Sequence, residues 1–200
     1  MTIEELCRRS YDTAVVKGWH EEPRSMGEVT ALFHSEVSEA LECWRDPARV
    51  LDEVWMSEGG KPEGFVIELA DLLIRIGDTA VDMKLPLVRV LDNISVSMLG
   101  HGIERMDTGP TSLKTIPEWL AYIHVCLSRA FVYFVTDDDF AQIVDDNGEN
   151  REDRVAFMLA KAMVTAGLIC HDYGLDLEKA LVLKMDYNNL RPHRHGGKRA

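Results

Sequence analysis

The sequence predicts an all-α protein, a helical bundle made of two repeats, on three observations. Apolar residues recur at helical spacing over long stretches, strand signals are nearly absent, and the pattern starts again beyond a Gly/Pro-punctuated segment near residue 100. Residues 2–17 read as an amphipathic helix, with Thr2 as N-cap and Glu5 completing a capping box. A loop, Trp19-His20-Glu21-Glu22-Pro23-Arg24-Ser25, leads into a long helix from about Gly27 to Arg45, stopped by Asp46-Pro47. Residues 46–63 are a polar connection with one short helical turn. The next helix covers about Glu63 to Met83, and Pro86 suits the first turn of another that reaches about Leu99. Residues 100–115 form a linker. Helices follow at 117–135, 151–173 and 176–189, with an acidic loop at 136–150 and a basic tail. Phe131-Val132-Tyr133-Phe134-Val135 is the one run that tempts a strand reading.

The restart is an internal repeat at a constant offset. Ala31, His34, Ser38 and Ala40 fall on Ala121, His124, Ser128 and Ala130, 90 residues on, and Leu69, Ala70, Gly77, Asp82 and Leu85 fall on Leu159, Ala160, Gly167, Asp172 and Leu175. The expected organisation is a first repeat at 1–99, the linker, and a second repeat at 116–200, fused as a pseudo-dimer.

Bulk composition limits the function. The 200 residues are 46% hydrophobic, ordinary for a globular chain, and the formal charge of −12 excludes a grip on a nucleic-acid polymer. Cys7, Cys43, Cys126 and Cys170 are far apart and fall in helical patterns, which suits reduced, buried thiols. The N-terminus has no signal-peptide pattern, and no apolar run reads as a membrane span. A soluble, cytoplasmic protein without membrane contacts is expected.

Chemistry concentrates in two acidic pairs. Glu36 and Glu39 are i,i+3 neighbours within an uninterrupted helix, and Glu68 and Asp71 repeat that spacing inside an almost wholly apolar run. If the helices pack together, the four carboxylates converge, and each pair of charges about 5 Å apart repels by roughly 3 kcal/mol at an effective dielectric near 20. Protonation or a cation relieves that, and oxygen-only ligands favour Mg²⁺, with Mn²⁺ as an alternative. The corresponding positions of the second repeat are Cys126, Arg129, Met158 and Lys161, so it cannot hold the same metal. His34 recurs as His124 where the acids are gone, which favours a structural histidine. Glu42 reads as an exposed continuation, and the aspartates at 137–139, 145 and 146 lack EF-hand spacing. Glu-x-x-His pairs, wanted by ferritin-like di-metal proteins, do not occur at the right places.

ExxE at 36–39 followed by ExxD at 68–71 resembles the signature of the MazG-like all-α nucleotide pyrophosphohydrolases. Lys184-x-x-x-Asn188-x-x-Arg191 with the tail His195-Gly196-Gly197-Lys198 is similar to that family's ending, and Lys17-Gly18-Trp19-His20 and Pro23-Arg24-Ser25 look family-like as well. The resemblance implies Mg²⁺-dependent hydrolysis of a nucleoside triphosphate to monophosphate and pyrophosphate. Glu36, Glu39, Glu68 and Asp71 are then the expected metal ligands and catalytic carboxylates, with Glu39 orienting or deprotonating the water. Lys184, Asn188 and Arg191 share a helix face and are expected to line a phosphate channel, joined by His195 and Lys198 from the tail, while Trp19 offers a stacking surface for a base. The first repeat lacks the Lys/Asn/Arg ending and the second lacks the acids, so one composite site is expected. Lys184→Ala or Arg191→Ala should then impair turnover without harming the fold. The chain could still pair as a homodimer. The competing reading is an inactive homologue that senses nucleotides or serves as a helical scaffold.

Overall fold

The computed structural model describes residues 1–100, 113–136 and 150–197, with side chains from Ser95 to Gly100 left aside. The all-α expectation holds. Eight helices are present among the described residues: α1 (Ile3–Val16), α2 (Met26–Arg45), α3 (Phe65–Asp82), α4 (Leu87–Gly100), α5 (Ile116–Val135), α6 (Arg151–Asp172), α7 (Leu177–Leu190) and the four-residue α8 (Arg194–Gly197). The linker expected at 100–115 and the acidic loop lie almost wholly outside the described residues. The tempting strand at Phe131–Val135 is the last turns of α5.

Helix starts follow local chemistry. Thr2 accepts from the Glu5 N–H, and Ser25 and Glu28 exchange both bonds of a capping box. At α5 the Glu118 carboxylate accepts from the Lys114 and Thr115 N–H groups, while Asn150 and Asp176 cap α6 and α7. The connection at 46–63 departs from expectation. In place of a helical turn it carries a two-stranded antiparallel hairpin, β1 (Trp55–Met56) with β2 (Pro62–Glu63). Ser57 N–H donates to the Lys61 carbonyl and Gly60 N–H to the Ser57 carbonyl, so Glu58-Gly59-Gly60 make the tip. Gly64, at φ 143°, joins the hairpin to α3, and a side chain there would meet the Glu53 carbonyl oxygen at 2.5 Å. Only glycine fits.

Packing makes α3 and α6 the two central helices. The first touches α1, α2, α6 and α7; the second touches α3, α4 and α5, and α2 also packs on α5. One buried core runs through both halves of the chain, from Leu6 to Met185. By length and a mean hydropathy of 1.4 over its most apolar window, α6 is apolar enough to cross a membrane, which the sequence reading did not anticipate. Here 61% of that window is buried in the protein, as expected of a central packing helix.

The ends of α2 and α5, and of α4 and α7, fall 90 residues apart, with 20 residues in each of the first pair and 14 in each of the second. His34 and His124, 90 residues apart, stack with ring centroids 4.9 Å apart at 12° and Nδ1 atoms 2.6 Å apart. Burial pushes both imidazoles below the usual histidine range, and His34 lowers His124 further, which fits one N–H shared between two neutral rings. The structural reading of His34 thus stands on a contact with its own counterpart.

One helix breaks the match. Where α1 crosses α3, a Cβ added at Gly77 would lie 3.2 Å from Cys7 Cα, whereas at the equivalent Gly167 it would meet nothing within 4 Å. Gly167→Ala should therefore stabilise the protein by about 1 kcal/mol through helix propensity alone. Gly77→Ala should gain less or lose stability, because backbone must yield. Urea unfolding of the two variants measures the difference.

Candidate functional site

The two acidic pairs meet because α2 and α3 pack face to face. One oxygen from each of Glu36, Glu39 and Glu68 lies within 4.8 Å of the others. Glu36 and Glu68 are each 3% exposed, and Glu39 is open to solvent. Asp71 stands beside this triad rather than in it: its Oδ2 lies 2.6 Å from Lys184 Nζ. Arg75 donates from Nε to Glu36 Oε1 at 2.6 Å. Lys61, on the hairpin, holds its Nζ 3.7 Å from both Glu39 Oε2 and Glu68 Oε1, and 4.0 Å from Glu63. Each buried acid therefore has a cation beside it, yet Glu68 Oε2 is buried with no hydrogen-bond partner.

Electrostatics follows from that geometry. Burial, reinforced by Asp71, pushes the Glu68 carboxyl up to about 8, against the pull of Lys184 and Lys61. Burial raises Glu36 as well, opposed chiefly by Arg75. An orphaned carboxylate oxygen, three converging acids and a proton held at neutral pH are what a hard divalent cation would relieve, so the residues present fit such an ion.

Beside the triad opens a cavity of about 340 Å³, within the range of small-molecule sites. Glu36, Glu39 and Asp71 form its acidic side, with Arg75 and the hairpin's Lys61 among them. The other walls come from α1 through Ser10, Thr13 and Lys17, from the following loop through Trp19 and Arg24, and from the C-terminal region through Asn188, Arg191 and His195. Of the residues singled out in sequence, Trp19, Asn188, Arg191 and His195 line this cavity, and Trp19 meets His195 edge to face at 4.8 Å. Asn188 Oδ1 and Ser10 Oγ are buried without partners. Lys198 lies outside the described residues.

Lys184 is the correction. It shares α7 with Asn188, while Arg191 is the extended residue that ends that helix, but Lys184 is 1% exposed and does not line the cavity. The 3.6-residue period places side chains on a face without saying whether that face meets a void or another helix, and here Lys184 meets Asp71. Its substitution cannot be expected to spare the fold.

Sequence reasoning missed Arg75 and Lys61. Arg75 was legible, since it follows Asp71 by four residues and so shares the acidic face of α3. Lys61 was not, because only the hairpin brings it back over α2 and α3. The loop at 17–25 is held by Arg24, which donates to Asp78 at 2.9 Å and Asp82 at 3.1 Å, and by His20, 2.7 Å from Asp78. The tail docks on the same loop, with Arg194 N–H and Nε donating to the Lys17 and Gly18 carbonyls. No known family model matches the chain, and neither a curated protein nor a solved structure matches it.

Two outcomes follow. Lys184→Ala should cost about 3 kcal/mol in urea unfolding, because it strands a largely buried carboxylate. In metal-free protein, a carboxyl raised in the fold contributes stability that is present below its unfolded value near 4.5 and lost as pH rises through about 8. Glu68→Gln should therefore melt above wild type at pH 8.5, with the gap closing toward pH 4.5.

Proposed function

We propose that the protein is a metal-dependent nucleoside triphosphate pyrophosphohydrolase, releasing nucleoside monophosphate and pyrophosphate. The observation that carries this reading is the convergence of Glu36, Glu39 and Glu68, two of them lining a cavity that also takes in Lys17, Arg75 and Arg191 and the rings of Trp19 and His195. It is also the chemistry implied by the resemblance to MazG-like enzymes. Glu36, Glu39 and Glu68 would hold Mg²⁺ or Mn²⁺, with Asp71 as a further ligand or as a carboxylate that orients the others. When bound, the ion neutralises phosphate charge and supplies a polarised water.

The chain's own residues provide the rest. Arg191, Arg75 and Lys17 on the cavity wall bind the polyphosphate, whose negative charge the acidic protein otherwise repels. Trp19 and His195 offer rings to a base, and the orphaned Asn188 Oδ1 and Ser10 Oγ offer hydrogen bonds to base or sugar. Glu39, the exposed acid, is the one placed to accept a proton from an incoming water.

The cavity draws on segments of both expected repeats, and the stacked His34–His124 contact is what a pseudo-two-fold axis produces, since residues on such an axis touch their own equivalents. This supports a duplicated, pseudo-dimeric chain with one composite site.

Incubation with a panel of NTPs and dNTPs plus Mg²⁺ should release pyrophosphate and monophosphate in equal amounts from at least one nucleotide. Glu36→Gln and Glu39→Gln should each lower kcat at least about 100-fold. Arg191→Ala should act mainly on KM. Absence of pyrophosphate with every nucleotide, alongside a nucleotide-dependent rise in melting temperature, would favour a non-hydrolytic sensor.

A further inference from the structure

The three cations around the acidic cluster are not equivalent. Arg75 and Lys184 stand on the long helices α3 and α7, and each makes a 2.6 Å contact with one acid. Their positions are set by packing: Lys184 is wholly buried, and the Arg75 guanidinium is aligned by a hydrogen bond from Nε. Lys61 differs in its support. It is carried by a hairpin with two-residue strands and a glycine tip, where the other two stand on long helices. Its ammonium is spread over three carboxylates at 3.7–4.0 Å instead of being bonded to one.

Its contacts at 3.7–4.0 Å are beyond hydrogen-bond range, so Lys61 is held by charge shared among several acids, without the directional contact that fixes Arg75 or the close packing that fixes Lys184. It is also the one that stands where a metal would have to stand. Two of its three partners, Glu39 and Glu68, are members of the converging triad. An ammonium and a divalent ion cannot share those oxygens, since the two cations would repel within a few ångströms of each other. Breaking three long contacts and swinging an unbranched side chain of a short hairpin toward solvent requires no change in the helices.

We propose that Lys61 is a displaceable internal counter-ion: it occupies the Glu39–Glu68 position of the metal-free protein, must leave when a divalent cation enters, and so sets the affinity for that cation. The proposal rests on the metal-dependent reading above and concerns regulation of the same site. Lys61 also lines the cavity, so an ammonium released from the acids remains beside any polyphosphate bound there. Metal loading thereby moves one positive charge from the acids toward the ligand.

Mn²⁺ alone, without nucleotide, tests this through binding measured by electron paramagnetic resonance at fixed pH. Lys61→Met should bind Mn²⁺ at least about tenfold more tightly than wild type, while Lys61→Arg, which keeps the charge, should show no such gain. In wild-type protein, amine acylation followed by mass spectrometry should find Lys61 more reactive as Mn²⁺ saturates. Unchanged or weaker binding by Lys61→Met, an equal gain in Lys61→Arg, or Lys61 reactivity that stays flat or falls overturns the proposal. The outcomes separate it from the parent reading. Mn²⁺ binding that depends on Glu36 and Glu68 but ignores Lys61 sinks only the counter-ion role. If wild type and Lys61→Met both leave Mn²⁺ unbound, both readings fall.

Discussion

Mutual repulsion among acids brought together by helix packing is the constraint on which this structure turns. The apolar faces of α2 and α3 drive the two helices into contact, and Glu36, Glu39, Glu68 and Asp71 come with them. Burial of that much like charge is tolerable only with compensation, and the fold supplies it from three directions. Arg75 comes from α3 itself, Lys184 from α7 in the other half of the chain, and Lys61 from the hairpin. Removing any partner of a buried ion pair costs more than the pair contributes, so Arg75 and Lys184, each 2.6 Å from one acid, are structural parts of the acidic cluster. What remains uncompensated is small: one oxygen of Glu68, and a proton retained at neutral pH.

The same arrangement draws on both halves of the chain although only one carries the acids. α7 delivers Lys184 to Asp71 and, one turn further on, Asn188 to the cavity wall, where Arg191 joins it from just past the helix end. A chain cut between the halves would leave Asp71 without its cation and the cavity without a wall. In the second half, Lys161, 90 residues after Asp71, lies over the rings of Tyr122 and Phe157, so that face is built on a cation and aromatic rings.

Much of this was legible in the residues. Helical period, caps and proline positions placed every long helix to within two residues, and the embedded Glu68 and Asp71 marked α3 as the helix where apolar packing and charge collide. The hairpin at 55–63 was not legible, because two-residue strands leave no alternation to read and Gly59-Gly60 suits many turns. Lys184 was placed on the right face with the wrong neighbour. Spacing reports which side chains are aligned along a helix; which of them face a void depends on the helix packed opposite, and that is set by the whole core.

The cavity wall joins stretches that are distant along the chain: Thr13 hydrogen-bonds to Asn189, and Arg194 reaches the Lys17 and Gly18 carbonyls across a separation of 176 residues. Contacts of such long range close only after the intervening helices have found their places. The recess is therefore a property of the completed fold and not of any local unit. A molecule that settles there holds together the loop after α1, the C-terminal segment and the core between them. Its binding energy consequently appears as slower amide exchange across the core helices as well as at the residues it touches.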